Sequence, residues 1–196
     1  MVMDVPRLET TRLRLRGFRM ADLDQLASIY GDSEVMRYIG LGLPMSREAA
    51  SERLTAMIFR WETRRIPIWA VEQKDSGELI GRCGFSPYLE TDQIELSYTF
   101  ARRRWSHGFA SEAAQACLNF AQDRFAWPSV LARSHPENFA SRRVLEKLGF
   151  RFHRLELEHR GGPAIFYLLE MRTNSPARAI ADVENQNRVT PDAQPQ

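Results

Sequence analysis

Between an alternating stretch and a helical one, the chain reads Trp105-Ser106-His107-Gly108-Phe109-Ala110-Ser111-Glu112-Ala113. Upstream, Ile94-Glu95-Leu96-Ser97-Tyr98-Thr99-Phe100 alternates with a period of two, which predicts a strand. Downstream, Ala113, Cys117, Phe120 and Ala121 recur at helical spacing, which predicts a helix from Phe109 to Arg124. A helix N-terminus carries unpaired N–H groups and a partial positive charge, so the junction is a candidate anion site. Gly108 lets the backbone approach an anion with no side chain between them, and Ala110 keeps the first turn slim. Arg102, Arg103 and Arg104 bring forked donors to the same end. The loop has neither the G-x-x-x-x-G-K-[ST] of nucleotide-triphosphate P-loops nor the G-x-G-x-x-G of dinucleotide folds. An ordinary strand-to-helix turn with surface Arg is the plain alternative.

Working outward, Arg12 to Arg16 alternates and predicts a first strand whose Arg residues face solvent or a partner. Met20 to Tyr30 predicts a helix stopped at Gly31-Asp32. Ser46 is placed to cap a longer helix with the apolar stripe Ala50, Leu54, Met57, Ile58 and Trp61. Ile68 to Val71 and Leu79 to Phe85 predict strands joined by the turn Lys74-Asp75-Ser76-Gly77. Val130 to Ala132 is a short buried strand, and Asn138 to Lys147 a helix stopped by Gly149. Phe150 to Leu157 and Ile165 to Met171 are expected to pair across Gly161-Gly162. The whole predicts a mixed α/β sheet with helices on its faces.

A length of 196 residues suits one domain, here residues 1–173, followed by a tail from residue 174 to 196. That tail has no aromatic residue and three Pro, so it is expected to be disordered. The 43% apolar and 27% charged composition supports a packed core and excludes collagen-like and wholly disordered classes. No apolar run is long enough for a membrane helix and no signal peptide is visible, so the expected location is cytoplasmic. A net charge of +2 makes no case for nucleic acid, although Arg102 to Arg104 is the stretch an RNA partner would use. Cys83 and Cys117 are read as free thiols, and no metal is expected, because neither Cys nor His has ligand spacing. Cys117 belongs to an apolar helix face and is expected to be inert; Cys83 beside Gly81 and Gly84 is read as a core or neutral position, with a nucleophile facing a cleft as the alternative.

The Trp105–Ala113 stretch resembles the acetyl-coenzyme-A loop of GNAT N-acetyltransferases, Q/R-x-x-G-x-G/A, and most closely the W-G-x-G-Y-A-T-E-A of the RimJ/RimL-like branch. Ser106 stands where that branch has Gly. Asn138-Phe139-Ala140-Ser141-Arg142-Arg143-Val144-Leu145-Glu146-Lys147-Leu148-Gly149-Phe150 is similar to the branch's N-x-x-S-x-x-V-L-E-K-L-G-F. Ile94 to Tyr98, Thr11 to Arg16 and Asp32 to Ile39 also resemble its patterns, so the likeness runs from Leu8 to Arg172. The resemblance implies a GNAT fold: a mixed, mostly antiparallel central sheet, helices on both faces and a splayed strand pair.

It further implies transfer of an acetyl group from acetyl-CoA to a primary amine by direct attack. The amides from Trp105, Ser106, His107, Gly108, Phe109 and Ala110 would hold the diphosphate, and the Phe100 N–H would hold the thioester carbonyl. Asn138 would bind the pantetheine arm, orient the loop or cap its helix, and Ser141 would either donate a proton to sulfur or only bind the cofactor. Many GNAT enzymes have a Tyr where this chain has Leu145. Glu95 is the candidate base or substrate anchor, with a structural Glu as its alternative. Expected acceptors are a protein N-terminus or a small-molecule amine, and a homodimer is compatible with the resemblance. The Arg-rich face of the second long helix (Arg47, Arg53, Arg60, Arg64, Arg65), read as exposed, disfavours polycationic acceptors. A non-catalytic acetyl-CoA-binding sensor is the alternative function, distinguished by whether free CoA is released.

Overall fold

The computed structural model describes residues 5–89, 91–157 and 162–172. One sheet contains β1 (Leu8–Glu9), β2 (Leu13–Arg16), β3 (Ile68–Gln73), β4 (Leu79–Pro87), β5 (Ile94–Phe100), β6 (Ser129–Ser134), β7 (Arg151–Glu156) and β8 (Ala164–Glu170). Their spatial order is β1-β2-β3-β4-β5-β6-β8-β7. Neighbours are antiparallel except β5 and β6, which run parallel. Three helices, α1 (Leu23–Tyr30), α2 (Ser33–Met36) and α3 (Arg47–Arg64), precede β3. A parallel pair needs a crossover, which α4 (Phe109–Arg124) supplies between β5 and β6; α5 (Phe139–Lys147) follows β6.

The expected elements form for local reasons. In β2 the alternation turns Leu13 and Leu15 inward, both fully buried. Arg16, expected at the surface, instead joins the Asp22 and Glu72 carboxylates, each at 2.7 Å. The Ser46 hydroxyl accepts the Ala49 N–H at 3.2 Å and caps α3, whose Ala50, Leu54 and Met57 are buried. The helix expected from Met20 opens with a 3-10 turn, Met20–Asp22, because the Asp22 carboxylate accepts the Arg19 N–H at 2.9 Å. The four-residue α2 and two-residue β1 were not expected; each is too short to show a period. Gly161 of the expected hairpin and the tail from residue 174 lie outside the described residues.

The sheet separates two main cores. Leu13, Trp69, Phe85, Leu96 and Phe100 pack with Ala113, Cys117 and Ala121 of α4 and Leu145 of α5. Ile68, Ala70 and Leu79 face the other way, against Leu26 and Tyr30 of α1 and Leu54 and Met57 of α3. Both cysteines are free and fully buried in the α4 core, so Cys83 takes the core position expected of it. Burial pushes the Cys117 thiol well up, which keeps it protonated and inert. Among the described residues, no helix is long and apolar enough to cross a membrane.

Candidate functional site

The parallel pair is joined at a single rung, Glu95 opposite Leu131. Toward Phe100 and Ser134 no further rung connects β5 to β6. The ladder with β4 fixes what β5 presents to that gap. The Ala101 N–H donates to the Ile80 oxygen at 2.9 Å, and the register pairs Phe100 with Gly81 and Tyr98 with Cys83. Antiparallel pairs alternate between bonded and non-bonded, so the N–H groups of Tyr98 and Phe100 point away from β4, into the gap. A Cβ at Gly81 would meet the Thr99 carbonyl oxygen and the Phe100 ring, so Gly81 lets β4 lie flush against this end of β5.

The Trp105–Ala110 turn lies at the same end. Gly108 is the N-cap of α4 at φ 80°, and no side chain caps the helix. The first-turn N–H groups, those of Phe109 and Ala110 among them, are therefore left for an external acceptor. Ser106 adopts φ 64°, the left-handed region that the family's Gly enters freely. The Trp105 N–H is already used, donating to the Arg102 oxygen at 3.1 Å. Its indole N–H donates to the Phe100 oxygen at 2.9 Å, so Trp105 ties the turn to the strand end. His107 bonds the Trp105 oxygen through Nδ1 at 2.6 Å and stacks on Phe109, with ring centroids 5.8 Å apart. Of the arginine triplet, Arg103 and Arg104 both pair with Glu78.

Arg12 serves it instead. Its Nη1 donates to the His107 oxygen at 3.0 Å, its Nε to Glu112 at 2.7 Å, and its guanidinium covers the Phe109 ring at 4.5 Å. A Cβ on Gly108 would sit 3.6 Å from Arg12 Nη2, so the cation borders the open amides. The alternating pattern marked Arg12 only as the start of a strand; its role depends on a contact about 100 positions along the chain.

On α5, the Asn138 side chain accepts the Ser141 N–H at 3.1 Å, which is the capping role. The Ser141 hydroxyl lies 3.0 Å from that of Tyr98, which also donates to the Ser141 carbonyl at 3.1 Å. Burial pushes the Tyr98 phenol well above its ordinary pKa, so it stays protonated. Tyr98 was missed from sequence because the family's Tyr position, Leu145, is apolar here and the hydroxyl arrives from another element.

Glu95, Tyr98 and Ser141 line one cleft of about 590 Å³. Glu95 is buried at 7% exposure, and its Oε1 accepts from Arg133 Nε at 2.7 Å. The cleft is also rich in guanidinium groups, for Arg53, Arg60, Arg82 and Arg133 line it too. The face of α3 read as exposed is divided: Arg47 pairs with Asp24 at 2.7 Å, whereas Arg53 and Arg60 turn half-buried toward the cleft. Tyr38 stacks on His135 at 4.9 Å and joins the segment after α2 to the end of β6 at the cleft rim.

Residues 12–151 match the family described as acetyltransferase (GNAT) domain. The chain belongs to the GNAT acetyltransferase family. An uncharacterized protein of Bacillus subtilis (strain 168), YkkB, is 36% identical over 157 residues, 74% of this chain and 86% of that protein. The uncharacterized N-acetyltransferase YoaA of the same organism is 31% identical over 147 residues, 74% of this chain and 83% of that one. Among solved structures, an acetyltransferase of the GNAT family from Bacillus anthracis has a TM-score of 0.73 at 24% identity, covering 84% of this chain and 98% of that one. RimL, a ribosomal L7/L12 alpha-N-protein acetyltransferase in complex with coenzyme A, has a TM-score of 0.74 at 14% identity, covering 88% and 100%. These two likenesses concern the fold.

As a GNAT member the protein is an acetyl-CoA-dependent N-acetyltransferase. The donor set of this acetyltransferase suits such a cosubstrate. The uncapped amides of α4 match a diphosphate, and the outward N–H groups of β5 match an amide-like arm lying along the gap. Among the described residues no group of His, Cys, Asp and Glu is placed to hold a metal ion.

Proposed function

We propose that this acetyltransferase moves the acetyl group to a primary amine, a protein N-terminus or a small-molecule amine, by direct attack on the thioester. The amine nitrogen bonds to the carbonyl carbon, the carbon–sulfur bond breaks, and the amine proton leaves to water. The observation that carries the reading is the uncapped α4 terminus at Gly108 standing beside the open end of the β5–β6 pair. The diphosphate rests on the amides from Ser106 to Ala110, with Trp105, His107 and Arg12 bracing the turn.

Strand spacing apportions the other roles. Five residues separate Glu95 from Phe100, about 17 Å of strand, too far for one water to join them. The Tyr98 N–H is the first beyond the Glu95–Leu131 rung to face the gap, so it takes the thioester carbonyl and stabilises the developing oxyanion. The Phe100 N–H, one repeat further, holds the pantetheine arm. Ser141, positioned by its 3.0 Å contact with the Tyr98 hydroxyl, passes a proton to the departing sulfur and regains one from water in the cleft. Glu95 receives the amine proton through water. An α-amino group, with a pKa near ~7.8, is about a quarter neutral at pH 7.4, against roughly one part in a thousand for a Lys side chain. A relayed carboxylate is therefore base enough for an N-terminal or similar amine.

Calorimetry with coenzyme A and a thiol-release assay over amines and N-terminal peptides test this. Wild-type protein is expected to bind coenzyme A and release thiol, and Glu95→Gln to lose at least about tenfold in kcat with coenzyme A affinity kept. Full kcat in Glu95→Gln across pH 6–9 would remove Glu95 from the reaction. Tight binding of acetyl-CoA with no thiol released to any amine would favour a sensor.

A further inference from the structure

The acceptor side of the cleft holds cations that pair with no carboxylate among the described residues. Arg82 is 6% exposed and uses Nε on the Tyr30 hydroxyl at 2.7 Å and Nη1 on the Ser97 hydroxyl at 2.8 Å. Its Nη2 has no acceptor among the described residues. Arg53 lies 5.1 Å over the ring of the same Tyr30, and Arg60 follows two turns along α3 on the same face. None of the three makes an ion pair among the described residues. Glu95, the one carboxylate among the described lining residues, is taken by Arg133.

Two further observations point the same way. Thr99, opposite Arg82 in the ladder and lining the same cleft, is 4% exposed, and its hydroxyl has no hydrogen-bond partner. A buried hydroxyl without a partner is costly unless something else satisfies it. Desolvation and neighbouring Arg82 hold the Arg53 guanidinium below its usual range, and desolvation with Arg82, Arg53 and Arg64 does the same for Arg60. An anion between them relieves that repulsion.

We propose that the acceptor amine carries an oxyanion, carboxylate or phosphate, held by Arg82, Arg53 and Arg60 with the Thr99 hydroxyl as a further donor. The forked geometry of guanidinium suits either group. This rests on the acetyl-transfer reading above and specifies its acceptor. The same cleft repels polyamines.

The test uses three matched acceptor pairs: glutamate and glutaminamide, phosphoethanolamine and ethanolamine, and amidated Ser-Asp-Glu-Ala and Ser-Asn-Gln-Ala peptides. Affinity for the protein saturated with coenzyme A is measured by calorimetry, and turnover by thiol release with acetyl-CoA. In at least one pair the anionic member is expected to bind at least about tenfold tighter, with the preference shrinking as salt is raised. Which pair responds identifies the source of the oxyanion. Arg53→Gln and Arg60→Gln are expected to erase most of the preference through KM rather than kcat, and Arg60→Lys to restore part of it. Unchanged coenzyme A affinity reports that each variant is folded. Equal affinities within all three pairs, or a preference intact in both Gln variants, overturns the proposal. Absence of thiol release with every amine overturns the acetyl-transfer reading and is read separately from the affinities.

Discussion

Ser106 and Gly108 share a left-handed backbone on either side of His107, and they part in what substitution does. An L-residue in that region costs roughly 1 kcal/mol, so Ser106→Gly should be neutral to stabilising by up to about 1 kcal/mol. For a chain of this size that is about 2–4 °C in Tm, measurable by calorimetric melting, with coenzyme A affinity unchanged. Gly108→Glu puts bulk and a negative charge beside the open amides and is expected to abolish coenzyme A binding; unchanged affinity would move the diphosphate elsewhere. Gly108 was legible in the sequence as the start of α4, because a glycine between an alternating run and a helical one marks the boundary. Arg12, Tyr98 and Arg133 were not, since each acts through a partner on another element. The Glu95–Arg133 pair shows the limit clearly: nothing local to β5 announces a guanidinium from β6.

For the elements, legibility followed length and period. The bounds expected for β5 and α4 are those observed, because seven alternating residues and sixteen at helical spacing leave little ambiguity. The seating of α4 was not readable. Its Glu112 accepts from the Thr10 hydroxyl at 2.6 Å, the Arg12 N–H at 3.0 Å and the Arg12 Nε at 2.7 Å, which clamps the helix start to the sheet edge. Burial pushes the Glu112 carboxyl up, but the bonds from Thr10 and Arg12 outweigh it and hold the pKa below 4.5. A carboxyl with a lowered folded pKa stabilises above its unfolded value and loses that contribution as pH falls through the folded one. Melting followed from pH 7 to pH 3 should therefore fall less steeply in acid for Glu112→Gln, which is itself less stable at pH 7.

On the scale of the whole molecule, the sheet keeps two cores apart and the cleft reaches both. The Trp105–Ala110 turn grows from the α4 core, and the arginines of the cleft lie beside the α1–α3 core. Leu54, fully buried on α3, belongs to the second. Leu54→Ala is expected to cost about 2–5 kcal/mol of stability, read by urea unfolding, while coenzyme A affinity persists at temperatures where the variant stays folded. Equal losses of coenzyme A and acceptor binding would mean that the two faces are not independent. The mixed architecture was legible from the order of helical and alternating runs; the assignment of faces was not, because period alone leaves open which side of the sheet a helix covers.

The single rung at Glu95 and Leu131 has a mechanical consequence. Five strands on one side and three on the other meet along a seam with that one rung, packed on α4 through Leu96, Phe100, Val130 and Ala132. With the cosubstrate in the place proposed above, it knits the halves together and becomes a structural member of the protein it reacts in. Amide exchange at Tyr98 and Phe100 should slow when coenzyme A is added, and thermal tolerance should climb with its concentration. On that placement, departure of the carrier after transfer unlaces the seam, and exchange at these two amides should return to its unliganded rate.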